Sequence, residues 1–479
     1  MSKSMKLGEI LEGTEVRTSQ GDWSSVCVTS VESVSSACGI GSVFFCLRGS
    51  KYDGHAFVRD ATDHGASALV VEHLVDSELP QVVVQPGSIR GVFAVASSNF
   101  WGRPAEQLRM FAVTGTNGKT TVTHMIAAIL GSSGIRTSVL GTLSGSMTTP
   151  DANVLHAWLS ARLDDGDKAV AMEVSSHGIS GNRIEAIKFE LAIFTNLGHD
   201  HLDFHGTMES YYQAKAALFT PERAEIGLIC VDTSWGQRLA AEASIPVFTY
   251  STDQASHIEG TFDATSFRYE GRTVKIPMIG KFNVTNAIAA LSVGRILSLD
   301  AIRVQAGLEQ MAPIRGRMER VTQGAGPEVF VDFAHTPDAL DSVLTELKER
   351  SKNGRVIVVF GCGGDRDKSK RPDMGSIAGS KSDVAYVTSD NPRSEAAVQI
   401  IGEILSGIDP GSKCQVVAEP DRRIAIMSAV SNADPDDVVL IAGKGHETGQ
   451  IIDNHIFEFD DAEVAREAIA SAFQKAPPN

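Results

Sequence analysis

The chain has 479 residues, with 43 Lys and Arg against 59 Asp and Glu, so its formal net charge is -16. Hydrophobic residues make up 42% and charged residues 21%, which is ordinary for a folded protein and excludes disorder along the whole chain. The sequence contains no tripeptide repeat and no long heptad pattern, which excludes collagen and coiled-coil structures. At roughly 150 residues per domain, the length predicts about three domains.

The acidic balance and the lack of basic runs argue against nucleic-acid binding, which needs clustered Lys and Arg. No apolar run approaches the roughly 20 residues that span a bilayer, and the opening MSKSMKLGEI lacks the apolar core of a secretory signal. The six cysteines include no C-x-x-C pair, so we expect reduced thiols. We expect a cytoplasmic monomer without nucleic-acid or membrane partners. The acidic balance does not exclude small anionic substrates, because a cleft can be locally positive on an acidic protein.

Residues 1–109 predict a small mixed domain with strands at SVFFCL (42–47) and ASALVVEH (66–73), ending in a linker at 101–109. Beyond it, short apolar strands alternate with helices, which predicts parallel sheets and an α/β fold class. The predicted elements are FAVT (111–114), a helix in TVTHMIAAIL closed by Gly131 and Gly134, AVAMEV (169–174), ELAIFTN (190–196), a helix in ESYYQAKAALF (209–219), VFVDFA (329–334), a helix in DALDSVLTELKER, RVIVVFG (355–361), DVAYVT (383–388) and DVVLIAG (437–443).

A phosphate-binding loop is indicated by VTGTNGKTT (113–121), which follows a strand and opens a helix. Glycines let backbone N–H groups approach phosphate oxygens, Lys119 supplies a positive charge, and the Thr120 hydroxyl suits Mg²⁺. The loop departs from GxxxxGK[ST], because position 113 is Val. A Gly-rich turn that only caps a helix is the alternative, and the strand-to-helix context favours phosphate binding.

Carboxylate and imidazole groups follow the next strands. Glu173 ends an apolar strand, where a parallel sheet forms its ligand crevice, and a carboxylate beside a phosphate loop suits Mg²⁺. The segment HDHLDFH (199–205) superficially resembles a zinc cluster, but its spacing fits no standard zinc pattern and no cysteine is near.

Taken in order, these motifs resemble the Mur ligase family, the cytoplasmic ligases that build the peptide of peptidoglycan. The resemblance rests on GTNGKTT, MEVSSHG (172–178), FTNLGHDHLDFHGTMESYYQAK (194–215), GKFNVTNAIAA (280–290), VDFAHTPDAL (331–340), GCGGDRDKSKRP (361–372), SDNPR (389–393) and AGKGHE (442–447). It implies three α/β domains: a small mixed N-terminal uridine-binding domain at 1–109, a central P-loop parallel-sheet ATPase domain at 110–313, and a C-terminal Rossmann-like amino-acid-binding domain at 314–479.

The resemblance also implies ATP and Mg²⁺ as cofactors. The implied ATP contacts are Gly115, Thr116, Asn117, Gly118, Lys119, Thr120, Thr121, Asn283, Asn286, Arg317, Asp332 and His335. The implied metal ligands are Thr120, Glu173, His201 and Lys215, with Lys215 carbamylated by CO₂; Lys119, Glu173, His201, Lys215 and Arg317 are the implied catalytic residues. Arg317 matches an arginine that reaches the γ-phosphate, and Phe333 stands where Tyr is common.

The implied substrates are a UDP-muramoyl dipeptide and meso-2,6-diaminopimelate, joined through an acyl phosphate. Uridine contacts match Ser35, Ser50, Lys51 and Tyr52; sugar–peptide contacts match Thr148, Thr149, Ser175 and Arg183; amino-acid contacts match Arg366, Asp390, Asn391, Pro392, Arg393, Gly443 and Glu447. In the family the DNPR motif accompanies addition of diaminopimelate, and the planar fork of Arg393 suits its far carboxylate.

Three alternatives stay open from the sequence. The same chemistry adds L-lysine in relatives that lack the DNPR arginine. Val34-Ser35-Ser36 stands where relatives have Asp-Ser-Arg, which leaves open a paralogue with another carboxylate acceptor. A nucleotide switch that forms no amide is a third reading, although the guanine-reading motif NKxD is absent from the sequence.

Overall fold

The structure is a computed structural model of the chain. It describes residues 3–49, 52–145, 147–322, 326–351, 353–453 and 455–473.

The N-terminal part contains a mixed five-stranded sheet, in which one edge strand runs antiparallel to its neighbour. In sheet order the strands are Thr18–Gln20, Gln81–Val83, Ala66–Val71, Ser42–Phe45 and Ser30–Glu32. The accompanying helices are Leu7–Ile10, Val58–Asp63 and Ile89–Phe100, and Met5–Lys6 pairs with Cys27–Val28. Phe45 of the sheet packs edge-on against Phe93 of the last helix, with ring centres 5.2 Å apart.

A six-stranded, fully parallel sheet forms the middle of the chain. Its strands, in sheet order, are Val247–Tyr250, Ala224–Cys230, Phe189–Phe194, Arg109–Thr114, Ala169–Glu173 and Thr137–Leu140. Helices pack on both faces: Lys119–Ser132, Ala152–Asp164, Ser176–Ser180, Leu202–His205, Met208–Ala216, Ser234–Glu242, Lys281–Ile296 and Ala301–Glu309. Because side chains alternate along a strand, Phe111 and Val113 enter one buried cluster while Met110 and Ala112 enter another.

A second six-stranded sheet follows, parallel except for one short edge strand. In sheet order its strands are Glu319–Arg320, Glu328–Asp332, Val438–Ala442, Val356–Phe360, Val384–Val387 and Gln415–Ala418. Its helices are Pro337–Arg350, Lys370–Lys381, Ala397–Leu405, Arg422–Ser431 and Asp461–Phe473. Together the two parallel sheets confirm the predicted α/β fold class.

Three local features differ from the predictions: the end of one helix, a three-stranded antiparallel sheet and a two-stranded hairpin. The helix after the phosphate loop runs through Gly131 to Ser132, and Gly134, in the left-handed region at φ +83°, follows its end. The sequence analysis missed one antiparallel sheet and one hairpin, because they lie in polar segments without strong apolar runs. The sheet consists of Ala255–Gly260, Thr265–Tyr269 and Arg272–Ile276, and the hairpin of Gly449–Ile452 and His455–Glu458.

Within the described ranges, no helix is both long enough and apolar enough to cross a membrane.

Arg422 connects the DNPR and AGKGHE segments, which follow two strands of the C-terminal sheet. Its guanidinium is fully buried, forms two hydrogen bonds to the carboxylate of Asp461 at 2.6 and 2.8 Å, and donates to the carbonyls of Ser389 and Ala442. A buried ion pair is costly to break, because the remaining charge has no water to solvate it. This pair therefore fixes the ends of two neighbouring loops.

We predict that Arg422→Met lowers the free energy of unfolding by about 3–5 kcal/mol, because Asp461 is left buried without its partner. Denaturant unfolding followed by circular dichroism measures the change. The matched control is Arg423→Met, which removes an exposed ion pair to Glu467 and is expected to cost less than about 1 kcal/mol. Equal losses in the two variants would contradict the role assigned to Arg422.

Candidate functional site

The phosphate loop joins the strand Arg109–Thr114 to the helix that begins at Lys119. Gly115 has φ +153° and Gly118 has φ +85°, backbone conformations that favour glycine. A Cβ atom at Gly115 would overlap the hydroxyl of Thr195, and one at Gly118 would lie 2.7 Å from Oδ1 of Asn286. The loop therefore needs glycine at both positions, and it presents the positive end of a helix to any ligand.

The other loop residues hold its shape. The hydroxyl of Thr116 accepts from the backbone N–H of Gly198 at 3.0 Å and contacts Tyr211 Oη at 3.2 Å. The backbone N–H of Asn117 donates to Oδ1 of Asn196 at 2.9 Å. Thr121 is buried in the first turn of the helix. These contacts attach the loop to the segment after the neighbouring strand Phe189–Phe194.

Lys119 and Lys215 meet at one backbone oxygen. Nζ of each lysine lies 2.9 Å from the carbonyl of Gly115, and Lys119 also donates to the carbonyl of Thr116 at 2.8 Å. Burial lowers the pKa of both amines, and for Lys215, whose pKa falls well below its usual value, the charge of Lys119 acts in the same direction. The ring of Tyr211 lies 4.6 Å from Nζ of Lys215. The site thus brings two amine nitrogens together beside the loop.

Thr120, Glu173 and Arg317 form a hydrogen-bonded chain across the two parallel sheets. The Thr120 hydroxyl accepts from Nη2 of Arg317 at 2.8 Å and donates to Oε1 of Glu173 at 2.9 Å. Glu173 also accepts from the backbone N–H and the hydroxyl of Thr142, a residue that the sequence analysis missed. Burial lowers the pKa of Arg317, and the ring of Phe333 lies 4.5 Å from its guanidinium carbon. These three predicted residues are therefore brought together.

His201 lies beside the buried carboxylate of Asp200, which the sequence analysis did not single out. Nε2 of His201 is 3.4 Å from Asp200. From the C-terminal part of the chain, Nε2 of His335, in the loop before the helix Pro337–Arg350, and Nζ of Lys370, at the start of the helix Lys370–Lys381, lie 3.7 and 3.6 Å from it. Burial raises the pKa of Asp200, but these neighbours outweigh it and hold the pKa well below its usual value. Burial lowers the pKa of His201 to about 3. The imidazole is therefore neutral, the form that binds metals.

The remaining predicted nucleotide contacts lie around the same loop. Asn286 donates to Oδ1 of Asn283 at 3.1 Å, in the first turns of the helix Lys281–Ile296. Asp332 ends a strand of the C-terminal sheet and accepts from the backbone N–H of Met318 at 2.7 Å. Asp332, His335 and Arg317 all lie in the C-terminal half of the chain, so both sheets contribute to the site.

The DNPR and AGKGHE segments form a second cluster on the C-terminal sheet. Asn391 Nδ2 donates to Oε2 of Glu447 at 2.8 Å, and the left-handed Gly443 leaves room for the carboxylate of Asp390. Arg393 donates to the carbonyl of Gly364 at 2.7 Å. Arg366 and Arg393 flank Gly363, where a Cβ atom would lie 2.9 Å from Nη1 of Arg393 and 3.6 Å from Cγ of Arg366. Burial, and then the charge of Arg366, lower the pKa of Arg393. Pro392 is buried in this loop.

His199 connects this cluster to the phosphate-loop side of the molecule. Its Nε2 lies 3.1 Å from the carboxylate of Asp367 and 3.2 Å from the hydroxyl of Ser369. Both partners belong to the segment GCGGDRDKSKRP, which also carries Arg366. The two clusters are thus neighbours.

The predicted sugar–peptide contacts Thr148, Thr149, Ser175 and Arg183 lie close to one another. Thr149 accepts from the backbone N–H of Ser175 at 3.0 Å and donates to the carbonyl of Glu173, while Arg183 donates to the carbonyl of Thr149 at 2.8 Å. The hydroxyl of Thr148 lies 3.3 Å from that of Thr142. These residues therefore adjoin the Glu173 end of the site.

The predicted uridine contacts lie in the N-terminal part. Ser35 is buried in a short 3₁₀ turn, and Tyr52 is exposed and packs edge-on against Phe57, with ring centres 6.1 Å apart. Ser50 and Lys51 lie outside the described residues. These contacts therefore remain predictions.

Comparison with known proteins agrees with this arrangement. The family profile of the Mur ligase middle domain matches residues 113–294, and that of the Mur ligase glutamate ligase domain matches residues 316–445. The chain is 40% identical over 450 residues to UDP-N-acetylmuramoyl-L-alanyl-D-glutamate--2,6-diaminopimelate ligase of Syntrophomonas wolfei, covering 90% of this chain and 92% of that protein. It is 37% identical over 497 residues to the ligase of that name from Bacillus velezensis, covering 98% and 100%.

A solved structure of a ligase of the same name aligns with a TM-score of 0.67 at 31% identity, covering 98% of this chain and 99% of that one. Its likeness extends through both parallel sheets and the N-terminal part. The chain belongs to the Mur ligase family.

Proposed function

We propose that this chain is an ATP-dependent ligase that joins meso-2,6-diaminopimelate to UDP-N-acetylmuramoyl-L-alanyl-D-glutamate in the cytoplasm, acting as a monomer. The observation that carries the proposal is the chain of hydrogen bonds from Arg317 through Thr120 to Glu173 at a phosphate loop. The contacts of His199 with Asp367 and Ser369 support a location close to the cluster of DNPR and AGKGHE side chains, which is the proposed amino-acid pocket. The names of relatives at 37–40% identity over nearly the full chain support the same substrates.

The proposed reaction has two steps. A carboxylate oxygen of the acceptor attacks the γ-phosphorus of ATP, the bond to the ADP oxygen breaks, and an acyl phosphate forms. The amine of diaminopimelate then attacks the acyl carbon, the carbon–oxygen bond to phosphate breaks, and the nitrogen loses a proton. Lys119 and Arg317 offset the repulsion between a carboxylate and a triphosphate and stabilise charge on the transferring group.

The residues at the loop fit Mg²⁺. Thr120 and Glu173 supply a hydroxyl and a carboxylate oxygen, the donor types this ion prefers, and Mg²⁺ keeps several waters and phosphate oxygens as further ligands. In the part of the chain that the structure describes, no three His, Cys, Asp or Glu side chains are grouped as a metal site, so phosphate oxygens and water would supply much of the coordination. When bound, the ion supplies charge neutralisation at the phosphates. His201 and a carbamylated Lys215 complete the proposed ligand set.

Carbamylation of Lys215 is supported by its environment. CO₂ reacts with a neutral amine, and burial holds the pKa of Lys215 well below its usual value. The amine donates to one neutral carbonyl, that of Gly115, and within the described residues it forms no ion pair. The product is an anion beside Lys119, which replaces repulsion between two amines with attraction.

We expect ¹³C-labelled bicarbonate to give a carbamate signal in the NMR spectrum of the native protein. The signal should grow as the pH rises, since deprotonation of the Lys215 amine permits the reaction, and the lowered pKa of this amine shifts that growth to lower pH than for an exposed lysine. Lys215→Arg should lose both the signal and the ligase activity. Lys348→Arg, which alters an exposed lysine paired with Asp383, should retain both. A carbamate signal that persists in Lys215→Arg would refute the assignment.

The choice of diaminopimelate is supported by two guanidiniums without acidic partners. Arg393 donates only to backbone carbonyls, and among the described residues neither Arg393 nor Arg366 forms an ion pair with Asp or Glu. Their charges repel, so a carboxylate between them relieves the cost of bringing them together. Diaminopimelate has a carboxylate at its far end, and lysine has none.

The direct test measures ADP release and product mass with ATP, the muramoyl dipeptide and a panel of amino acids. We expect ADP release to require both the dipeptide and an amino acid, with diaminopimelate preferred over L-lysine. Omission of either substrate is the control. ADP release that is indifferent to both would reject the ligase, and a tripeptide formed only with another amino acid would reject the substrate.

We also predict that Gly115→Ala lowers ATP affinity by at least about tenfold, because its backbone conformation and the Thr195 hydroxyl leave no room for a Cβ atom. Isothermal titration calorimetry measures the affinity. Gly131→Ala, in the helix that the loop opens, meets no atom within 4 Å and should bind ATP like the unaltered protein. Equal affinity in Gly115→Ala would show that the loop does not hold the phosphates.

A further inference from the structure

We propose that Lys444 is a positioning residue that sets the selectivity of the amino-acid pocket for a substrate whose far end carries both an ammonium and a carboxylate. The inference rests on the proposed function, and it concerns a residue that lies behind the predicted contacts Asn391 and Glu447.

Lys444 is a buried cation with three acceptors. Its side chain is fully buried, and Nζ donates to Oδ1 of Asn391 at 3.1 Å, to Oε2 of Glu447 at 3.0 Å and to the carbonyl of Gly449 at 2.7 Å. An ammonium has three protons, so all of its donors are used. The three acceptors belong to the DNPR loop, the AGKGHE segment and the hairpin that begins at Gly449, which Lys444 therefore joins.

This network fixes the orientation of both pocket side chains. Oδ1 of Asn391 accepts from Lys444 and from the backbone N–H of Ile451 at 2.9 Å, so its Nδ2 must face Glu447, to which it donates at 2.8 Å. Oε2 of Glu447 then accepts from both Lys444 and Asn391. Oε1 accepts from no group in the described part of the chain, while 37% of the Glu447 side chain is exposed. The carboxylate thus offers one oxygen to a ligand.

Lys444 also partly neutralises Glu447, the carboxylate with which it pairs at 3.0 Å. Among the described residues, Arg366 and Arg393 form no ion pair with Asp or Glu, so their guanidiniums remain free to attract the far carboxylate of a substrate. Without Lys444, the full charge of Glu447 becomes available to a lone ammonium, which weakens the preference for a far end that also carries a carboxylate.

The test compares steady-state kinetics of the full-length protein with diaminopimelate and with L-lysine. For Lys444→Met we expect the KM for diaminopimelate to rise about tenfold, a change that corresponds to the loss of one hydrogen bond to a charged group. The KM for ATP should stay within about twofold. The ratio of kcat/KM for diaminopimelate over that for L-lysine should fall by about tenfold or more. The control Lys348→Met removes an exposed lysine of the same sheet unit and should change none of these values.

Melting curves of all variants are recorded first, and Lys444→Gln serves where Lys444→Met does not fold. Gln keeps an N–H donor but no charge, so it should recover part of the KM and still show the lower selectivity ratio. The inference would be overturned, while the ligase activity stands, if a folded variant kept the selectivity for diaminopimelate over L-lysine. It would also be overturned if the KM values for diaminopimelate and for ATP rose in parallel. Failure of the unaltered protein to ligate diaminopimelate would instead overturn the proposed function.

Discussion

The hydrogen bond from Arg317 to Thr120 is the contact on which the arrangement of the site depends. The Thr120 hydroxyl accepts from Arg317, which belongs to the C-terminal sheet unit. It donates to Glu173, at the end of a strand in the central sheet. A buried guanidinium is costly unless it is compensated, and within the described residues Nε of Arg317 has no hydrogen-bond partner. The ring of Phe333 covers its face. The protein therefore holds a partly satisfied cation against its phosphate loop, as anion binding requires.

This local charge differs in sign from that of the whole chain. The formal net charge is -16, yet the partly buried side chains of Lys119 and Arg317 bring positive charge to the loop. Burial strengthens each interaction because water no longer screens it. The carboxylates of Glu173 and Asp200 keep this cluster stable without a ligand, and they are oxygen donors for a cation that arrives with a phosphate. A cleft of opposite charge lets an acidic protein bind anions.

The local parts of this site could be predicted from the sequence, because each follows from residues close in the chain. The phosphate loop and Glu173 are recognised by their position at the ends of apolar strands, and DNPR by its short motif. Asp200, Lys370 and Lys444 were not found as partners, since what distinguishes them is contact between segments far apart in the chain, such as the approach of Lys370 to Asp200. Lys444 carries one weak signal, its place between Gly443 and Glu447 in a motif already singled out.

The same long-range contacts explain how two reactions that need different surroundings share one site. The phosphate loop and Glu173 lie on the central sheet, whereas the DNPR pocket lies on the C-terminal sheet. An acyl phosphate formed at the first is open to hydrolysis unless an amine reaches it before water does. The contacts of His199 with Asp367 and of Asp200 with Lys370 attach the segment that carries Arg366 directly to the loop side. By attaching these segments to each other, the contacts keep the DNPR cluster next to the phosphate loop, which favours attack by the amine over attack by water in the proposed reaction.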